Sequence, residues 1–167
     1  MIIEVFTFGD FDIKINKKSV LEKSNRANKN LELFKYFIAY KNKKLVPETI
    51  VEDLWTGDEI VDPKSALRTQ IFRLKRNMKK LGLMGDGTCK NSVELSFENG
   101  FYIFHSGPNF IIDVDVFEEN IRFADSIKET DSNHAIQKYS EALRLYRGQY
   151  LAENPYSEWI YPIRNRY

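Results

Sequence analysis

The sequence predicts an α+β protein in two parts. A small antiparallel sheet leads into three helices and a β-hairpin, and an all-α segment follows. Three observations carry this reading. Period-two alternation opens the chain and returns between residues 93 and 105, with three helical stripes between. Helical periodicity alone fills the chain after Asp113. Charge divides at the same place: residues 1–112 hold 18 basic and 14 acidic side chains, residues 113–167 hold 7 and 10. The Gly107-Pro108 turn signal just precedes that change, so the domains read as 1–109 and 110–167.

Composition narrows the class. A chain of 167 residues with 43% apolar and 14% aromatic content can build one domain or two small ones, and it excludes a disordered protein. The net charge of +1 names no partner, so only the distribution of charge is informative. The single cysteine, Cys89, forbids an internal disulfide and suits a reducing cytoplasm. Apolar runs are too short for a membrane span, and Met1-Ile2-Ile3-Glu4-Val5 is no secretory leader.

Each element has its own signal. Phe6 and Phe8 alternate with Val5 and Thr7, and Phe11, Ile13 and Ile15 alternate with Asp12 and Lys14. Gly9-Asp10 and Asn16-Lys17 are turns between strands, and a third strand is expected around 19–22. A helix over about 29–40 carries Leu31, Phe34, Phe37 and Ile38. A second over about 47–55 starts with Pro47, which suits a first turn, and carries Ile50, Val51, Leu54 and Trp55.

The third helix, 62–81, has the most explicit signature. Asp62 is a cap, Pro63 a first-turn residue, Gly82 a stop, and Leu67, Ile71, Leu74, Met78 and Leu81 form one apolar stripe. A hairpin follows, with Val93–Phe97 alternating, Glu98-Asn99-Gly100 turning and Phe101–His105 returning. Sheet, three helices and hairpin, in that order, make a winged helix-turn-helix with an added N-terminal sheet. In the acidic part, helices are expected over about 115–130 and from Ala135 to Tyr146, the latter closed by Gly148 at C′. A third should start at Asn154-Pro155 and carry Tyr156, Trp159, Ile160 and Ile163, with Pro162 bending or ending it. The apolar side of helix 115–130 should pack on the N-terminal sheet or the other C-terminal helices, leaving its acids solvent-facing or near the helix N-terminus.

Helix 62–81 is also the candidate site. From Lys64 to Lys80 there are seven basic residues and no acid. Opposite the apolar stripe stand Lys64, Ser65, Arg68, Thr69, Phe72, Arg73 and Arg76. A helix fits the major groove of DNA, where arginine bonds guanine bidentately and Thr or Gln can meet thymine or adenine. Thr69 and Gln70 suit that last role, while Lys75, Lys79 and Lys80 suit phosphates. A basic face is often merely solvated, but such faces ordinarily interleave acids in i,i+4 pairs, which this one lacks. Phe72 lies outside the stripe and is either core or a contact to a base methyl or sugar.

Ile71-Phe72-Arg73-Leu74-Lys75-Arg76 resembles the recognition-helix core of OmpR/PhoB-type winged-helix regulators. Phe8-Gly9-Asp10-Phe11, the Leu45-Val46-Pro47-Glu48 to Leu54-Trp55 stretch and Ala66-Leu67-Arg68 look more particularly like regulators of the Streptomyces antibiotic regulatory protein (SARP) type. In that family a tetratricopeptide-like bacterial transcriptional activator domain follows the winged helix. Ile112-Asp113-Val114-Asp115-Val116-Phe117 resembles its junction, and Ala142-Leu143 to Tyr150-Leu151 and Glu158-Trp159 resemble its interior.

The resemblance implies a sequence-specific DNA-binding transcriptional regulator of the activator kind. Its partners would be double-stranded DNA, RNA polymerase and a second copy on a direct repeat, with no cofactor. By position, Thr69, Gln70, Arg73 and Lys75 match groove or phosphate contacts, and Arg68 matches a family arginine. Ile103 stands where the family's wing has an arginine, which leaves Asn99 as the nearest polar substitute. The 55 residues after Ile112 are fewer than that domain generally has, so a longer regulator, or docking of the Tyr156/Trp159/Ile160 patch, is expected.

Other chemistry is weakly supported. His105 and His134 lack metal-ligand neighbours, Cys89 lacks a pairing histidine, and Asp113, Asp115, Glu118 and Glu119 suit a helix dipole better than a cation. An enzyme is therefore not expected. The competing reading is a protein-interaction module whose helical C-terminal part is the working surface and whose winged helix is a scaffold.

Overall fold

The computed structural model describes residues 2–21, 29–55, 62–84 and 93–167. The protein is α+β, with an N-terminal sheet and a helical C-terminal part. It forms two compact units: Met1–Val20 together with Ile111–Tyr167, and Leu21–Phe110. These units do not follow a single cut at 109/110, because the N-terminal strands share a unit with the C-terminal helices.

In the first unit, β1 (Ile3–Phe6), β2 (Asp12–Ile15) and β3 (Lys18–Ser19) form an antiparallel meander. Asn16 and Lys17, both at positive φ, make the two-residue turn that lets Ile15 pair with Lys18. The third strand is shorter and earlier than the sequence implies, and Glu22 lies outside the described residues. A fourth strand, β6 (Phe110–Ile112), pairs with β1 and was not foreseen. The buried face of β1 is Ile3 and Val5, continuing to Thr7, rather than the side bearing Phe6. Phe6 stays half-buried under two cations, the Arg147 guanidinium at 4.3 Å and the Lys14 ammonium at 4.7 Å from its ring centre.

Thr7 is buried because Asp113 is. The Asp113 carboxylate accepts from the Thr7 N–H at 2.8 and 2.9 Å, the Thr7 hydroxyl at 2.6 Å and the Phe8 N–H at 3.0 Å. It also accepts from the N–H of Val114 at 2.9 Å, while Arg147 stands 3.6 Å away. Helix α4 (Asp113–Ile127) thus begins two residues earlier than expected, and its first acid, at the helix N-terminus, is buried against protein.

The apolar side of α4 packs as expected, with the Phe117 ring edge-on to Phe8 at 5.3 Å. Helix α5 (Ser132–Leu145) lies against α4, and Asp131 caps it by accepting from the His134 N–H at 3.0 Å. Its C-cap is Tyr146, which places Gly148 one position beyond C′. A Cβ on Gly148 would stand 3.3 Å from the Gly9 Cα, so close backbone contact, not helix termination, requires glycine there. That contact belongs to a backbone clasp: Leu151 N–H donates to Thr7 C=O at 2.7 Å, and Gly9 N–H to Gln149 C=O at 2.9 Å.

The expected helix from Asn154 is instead a turn, a 3-10 segment (Glu158–Ile160) and α6 (Tyr161–Arg164). Pro162 sits in the first turn of α6, where it breaks no hydrogen bond. Trp159 and Ile160 are buried, whereas Tyr156 is 91% exposed.

In the second unit, α1 (Lys29–Ala39) is buried over most of its circumference. Leu33, Phe34, Phe37 and Ile38 form its core side, and even the Lys35 ammonium is enclosed, held by Glu32 at 2.8 Å. Leu31, expected in the stripe, is half-buried. Helix α2 (Pro47–Leu54) buries Ile50, and Trp55 follows it into the core. Tyr36 ties α1 to α2 by donating to Asp53 at 2.5 Å. Helix α3 (Pro63–Lys80) is joined to α1 through Asn30, which donates to the Gln70 carbonyl at 2.9 Å and accepts from Asn77 at 3.1 Å. Strands β4 (Glu94–Glu98) and β5 (Phe101–His105) form the hairpin, with Asn99 and Gly100 at φ 50° and 87°. Leu45 and Tyr102 exchange two backbone hydrogen bonds of 2.9 Å, which fixes the hairpin to the lead-in of α2.

Two stability outcomes follow. Asp113→Ala strands the buried donors of Thr7 and Phe8 and should cost about 2–4 kcal/mol in urea unfolding, whereas Thr7→Val should cost less. Equal stability of Asp113→Ala and the parent would refute this account of the clasp. Trp55→Ala should cost about 3–5 kcal/mol as a core truncation.

Candidate nucleic-acid interface

Helix α3 starts because Asp62 accepts from the Ser65 N–H at 3.0 Å and Pro63 supplies a preset first turn. Leu67, Ile71, Leu74 and Met78 are buried, so the i, i+4, i+7, i+11 stripe is the core side, with Leu81 half-buried at its end. The opposite face is open. Lys64, Ser65, Arg68, Thr69, Phe72, Arg73, Arg76, Lys79 and Lys80 are exposed; Gln70 and Lys75 are half-buried. Thr69 spends its hydroxyl proton on the Ser65 carbonyl at 3.0 Å, so toward a ligand its hydroxyl can only accept. Phe72 is 68% exposed, so in this structure it is not core.

The start of α3 faces the hairpin across a recess of about 150 Å³. Lys64 and Arg68 line it from α3, Glu48 from α2, and Phe97 and Tyr102 from the strands. Phe97 is exposed and leans on Tyr102, ring centres 4.6 Å apart. Burial pushes the Tyr102 phenol above its usual range, and the Arg68 charge opposes that.

Glu48 is the residue that sequence reasoning passed over. It meets Lys64 at 2.6 Å, and this pairing holds its carboxyl below the usual range. The stretch 64–80 is free of acids, yet an acid arrives from α2; spacing along one helix cannot reveal a partner on another. Asn99 is exposed at the hairpin tip, and Ile103 is buried in β5, so its side chain does not project as a wing arginine would.

The remaining candidates are held in other ways. His105 Nδ1 lies 3.1 Å from the Asn42 amide oxygen, and the His134 ring packs on Phe123. Glu118 accepts from the Tyr167 hydroxyl and pairs with Arg166 at 2.8 Å. Cys89 lies outside the described residues. Among the described residues, no group of three His, Cys, Asp or Glu side chains could hold a metal ion. No helix among them is long and apolar enough to cross a membrane.

The comparisons with known proteins bear on the C-terminal residues and on the fold. Residues 112–167 match the family model of the bacterial transcriptional activator domain. Among solved structures, EmbR of Mycobacterium tuberculosis, determined in complex with a low-affinity phosphopeptide, is similar in fold, with a TM-score of 0.79 at 14% identity. The match covers 98% of this chain and 41% of the EmbR chain, so this chain spans about two-fifths of that protein. No curated protein matches in sequence. The match over residues 112–167 supports the bacterial transcriptional activator domain that the sequence resembles, and the likeness to EmbR shows the fold.

The Glu48–Lys64 pair yields a test. Both side chains are solvent-exposed, and Glu48→Gln releases the ammonium to phosphate. Binding to random duplex DNA should tighten a few-fold at low salt, and the salt slope should steepen by about one. Fluorescence anisotropy across a salt series measures both; an unchanged slope would mean that Lys64 does not face the DNA.

Proposed function

We propose that this protein is a sequence-specific DNA-binding transcriptional regulator that acts as an activator and reads the major groove with α3. In this reading residues 1–109 are a winged helix-turn-helix DNA-binding domain, with α2 and α3 as the helix-turn-helix and β4–β5 as the wing. Residues 110–167 are a tetratricopeptide-like activator domain that meets RNA polymerase in the cytoplasm, and a second copy on a direct repeat completes the operator complex.

One observation carries the reading. Helix α3 buries an unbroken apolar stripe and turns outward a face with six exposed cations and no acid of its own, with Lys75 half-buried beside them. Packing fixes the helix while its exposed cations, Lys64 apart in its pair with Glu48, face solvent, which is the condition a groove-reading helix must meet. Arg73 and Arg76 lie in the middle and penultimate turns of α3 and would read base edges, while Lys79 and Lys80, in its last turn, would meet phosphates. Thr69 and Gln70 supply methyl and amide groups near the first two turns.

The alternative, a protein-interaction module, draws on Ile136 and Leu143, which stand seven residues apart on one side of α5 and are both well exposed. It leaves the basic face of α3 without a role, so the DNA reading is preferred.

Two substitutions separate groove reading from plain charge. Arg73→Ala should weaken binding to a selected duplex by about 1–3 kcal/mol and relax base preference at one position. Lys79→Ala should weaken binding to all duplexes alike and lower the salt slope by about one. If the two variants lose the same affinity on every duplex, α3 is an electrostatic surface and not a reading helix.

A further inference from the structure

We infer that Phe72 reads the C5 methyl group of thymine in the major groove. The inference rests on the DNA reading above and adds the base that this side chain selects. Phe72 is 68% exposed on a helix whose other large apolar residues are buried or half-buried. Among the described residues it packs on no other ring. The exposed Phe97, by contrast, leans on Tyr102.

Its surroundings restrict what can cover it. Arg68, Thr69, Arg73 and Arg76, at i−4, i−3, i+1 and i+4, are all exposed. A partner seated on the ring must therefore offer an apolar spot a few ångströms wide, encircled by anionic or acceptor groups for three guanidinium ions. An apolar protein surface would strip water from those cations without replacing it. The major groove offers both requirements together: phosphates line its rims, guanine N7 and O6 accept from arginine on its floor, and the thymine methyl is the one apolar group its four bases display.

Phenylalanine has no donor or acceptor, so it cannot choose among bases by hydrogen bonding. It chooses by the presence of that methyl. Thr69, one turn earlier with its hydroxyl proton already committed, adds a second methyl to the same apolar spot.

The test uses the full chain and a duplex enriched by it from a randomised pool. Each thymine of that duplex is replaced singly by deoxyuridine, which removes only the C5 methyl. At one thymine per bound copy, this should weaken parent binding about threefold to tenfold by anisotropy. Phe72→Ala should bind the thymine and deoxyuridine duplexes equally, and Phe72→Leu should keep part of the difference. Arg73→Ala should retain the full thymine/deoxyuridine ratio while losing affinity for both. Since the side chain is exposed, all Phe72 variants should melt like the parent.

No sensitive thymine, or an unchanged ratio in Phe72→Ala, would overturn the inference while DNA binding stands. Failure to bind any duplex, at any salt, would overturn the regulator reading as well and assign the ring to a protein partner.

Discussion

A single buried carboxylate organises the first unit. Asp113 receives three donors from Thr7 and Phe8, residues more than a hundred positions earlier, and a fourth from the N–H of Val114 in its own helix. A carboxylate out of water is tolerated only when its lone pairs are filled, and here protein donors fill them. The consequence is geometric. The loop after β1 is pinned at the start of α4, Phe8 is driven into a cluster with Phe117, Tyr146 and Tyr167, and the chain can return at 149–152 to pair with it. Gly9 and Gly148 stand at φ 81° and 148°, which favours glycine, and that return also brings their backbones close together.

The second unit rests on hydrogen bonds that set helix positions rather than on one charge. Asn30 joins α1 to the middle and the end of α3 through Gln70 and Asn77, and Leu45 joins the lead-in of α2 to the hairpin through Tyr102. Both connections use the inner side of α3 or leave it untouched. Its outer side carries no structural duty, so cations and one phenylalanine can stand there without opposing the fold. This separation of duties within one helix makes the face available for a ligand. Glu48 is the exception, an acid that neutralises Lys64 locally and so moves the strongest unpaired charge toward the middle and end of the helix.

Much of this was legible in the residues. The limits of α3 followed from Asp62, Pro63 and Gly82 because caps and stops are local chemistry, and its stripe is a one-dimensional pattern that any packing must respect. The turns at Asn16-Lys17 and Asn99-Gly100 followed for the same reason, since Asn and Gly tolerate positive φ. Legibility failed where a residue's role depends on a distant one. Strand β6 is three residues long and becomes a strand only because β1 is beside it. The inner side of β1 could not be chosen from Val5, Phe6, Thr7 and Phe8, because either side is apolar until Asp113 claims Thr7 and cations cover Phe6. The helix expected from Asn154 gave way to a turn and two short segments, with Arg164 drawn inward to the carbonyls of Tyr150 and Leu151 at 2.8 and 2.6 Å.

The candidate interface divides along the same line. The sequence alone determined which residues share the outer side of α3 and that this stretch contains no acid, because helical periodicity and composition need no partner. It also determined the kinship of residues 112–167, which resides in the order and spacing of short motifs. Only the tertiary structure decided that Phe72 is exposed, that Ile103 is buried, that Glu48 engages Lys64 and that Asp113 belongs to the core rather than to a solvated acidic surface. Exposure depends on what the rest of the chain packs against, and the last two cases each join residues separated in the chain, which only folding brings together.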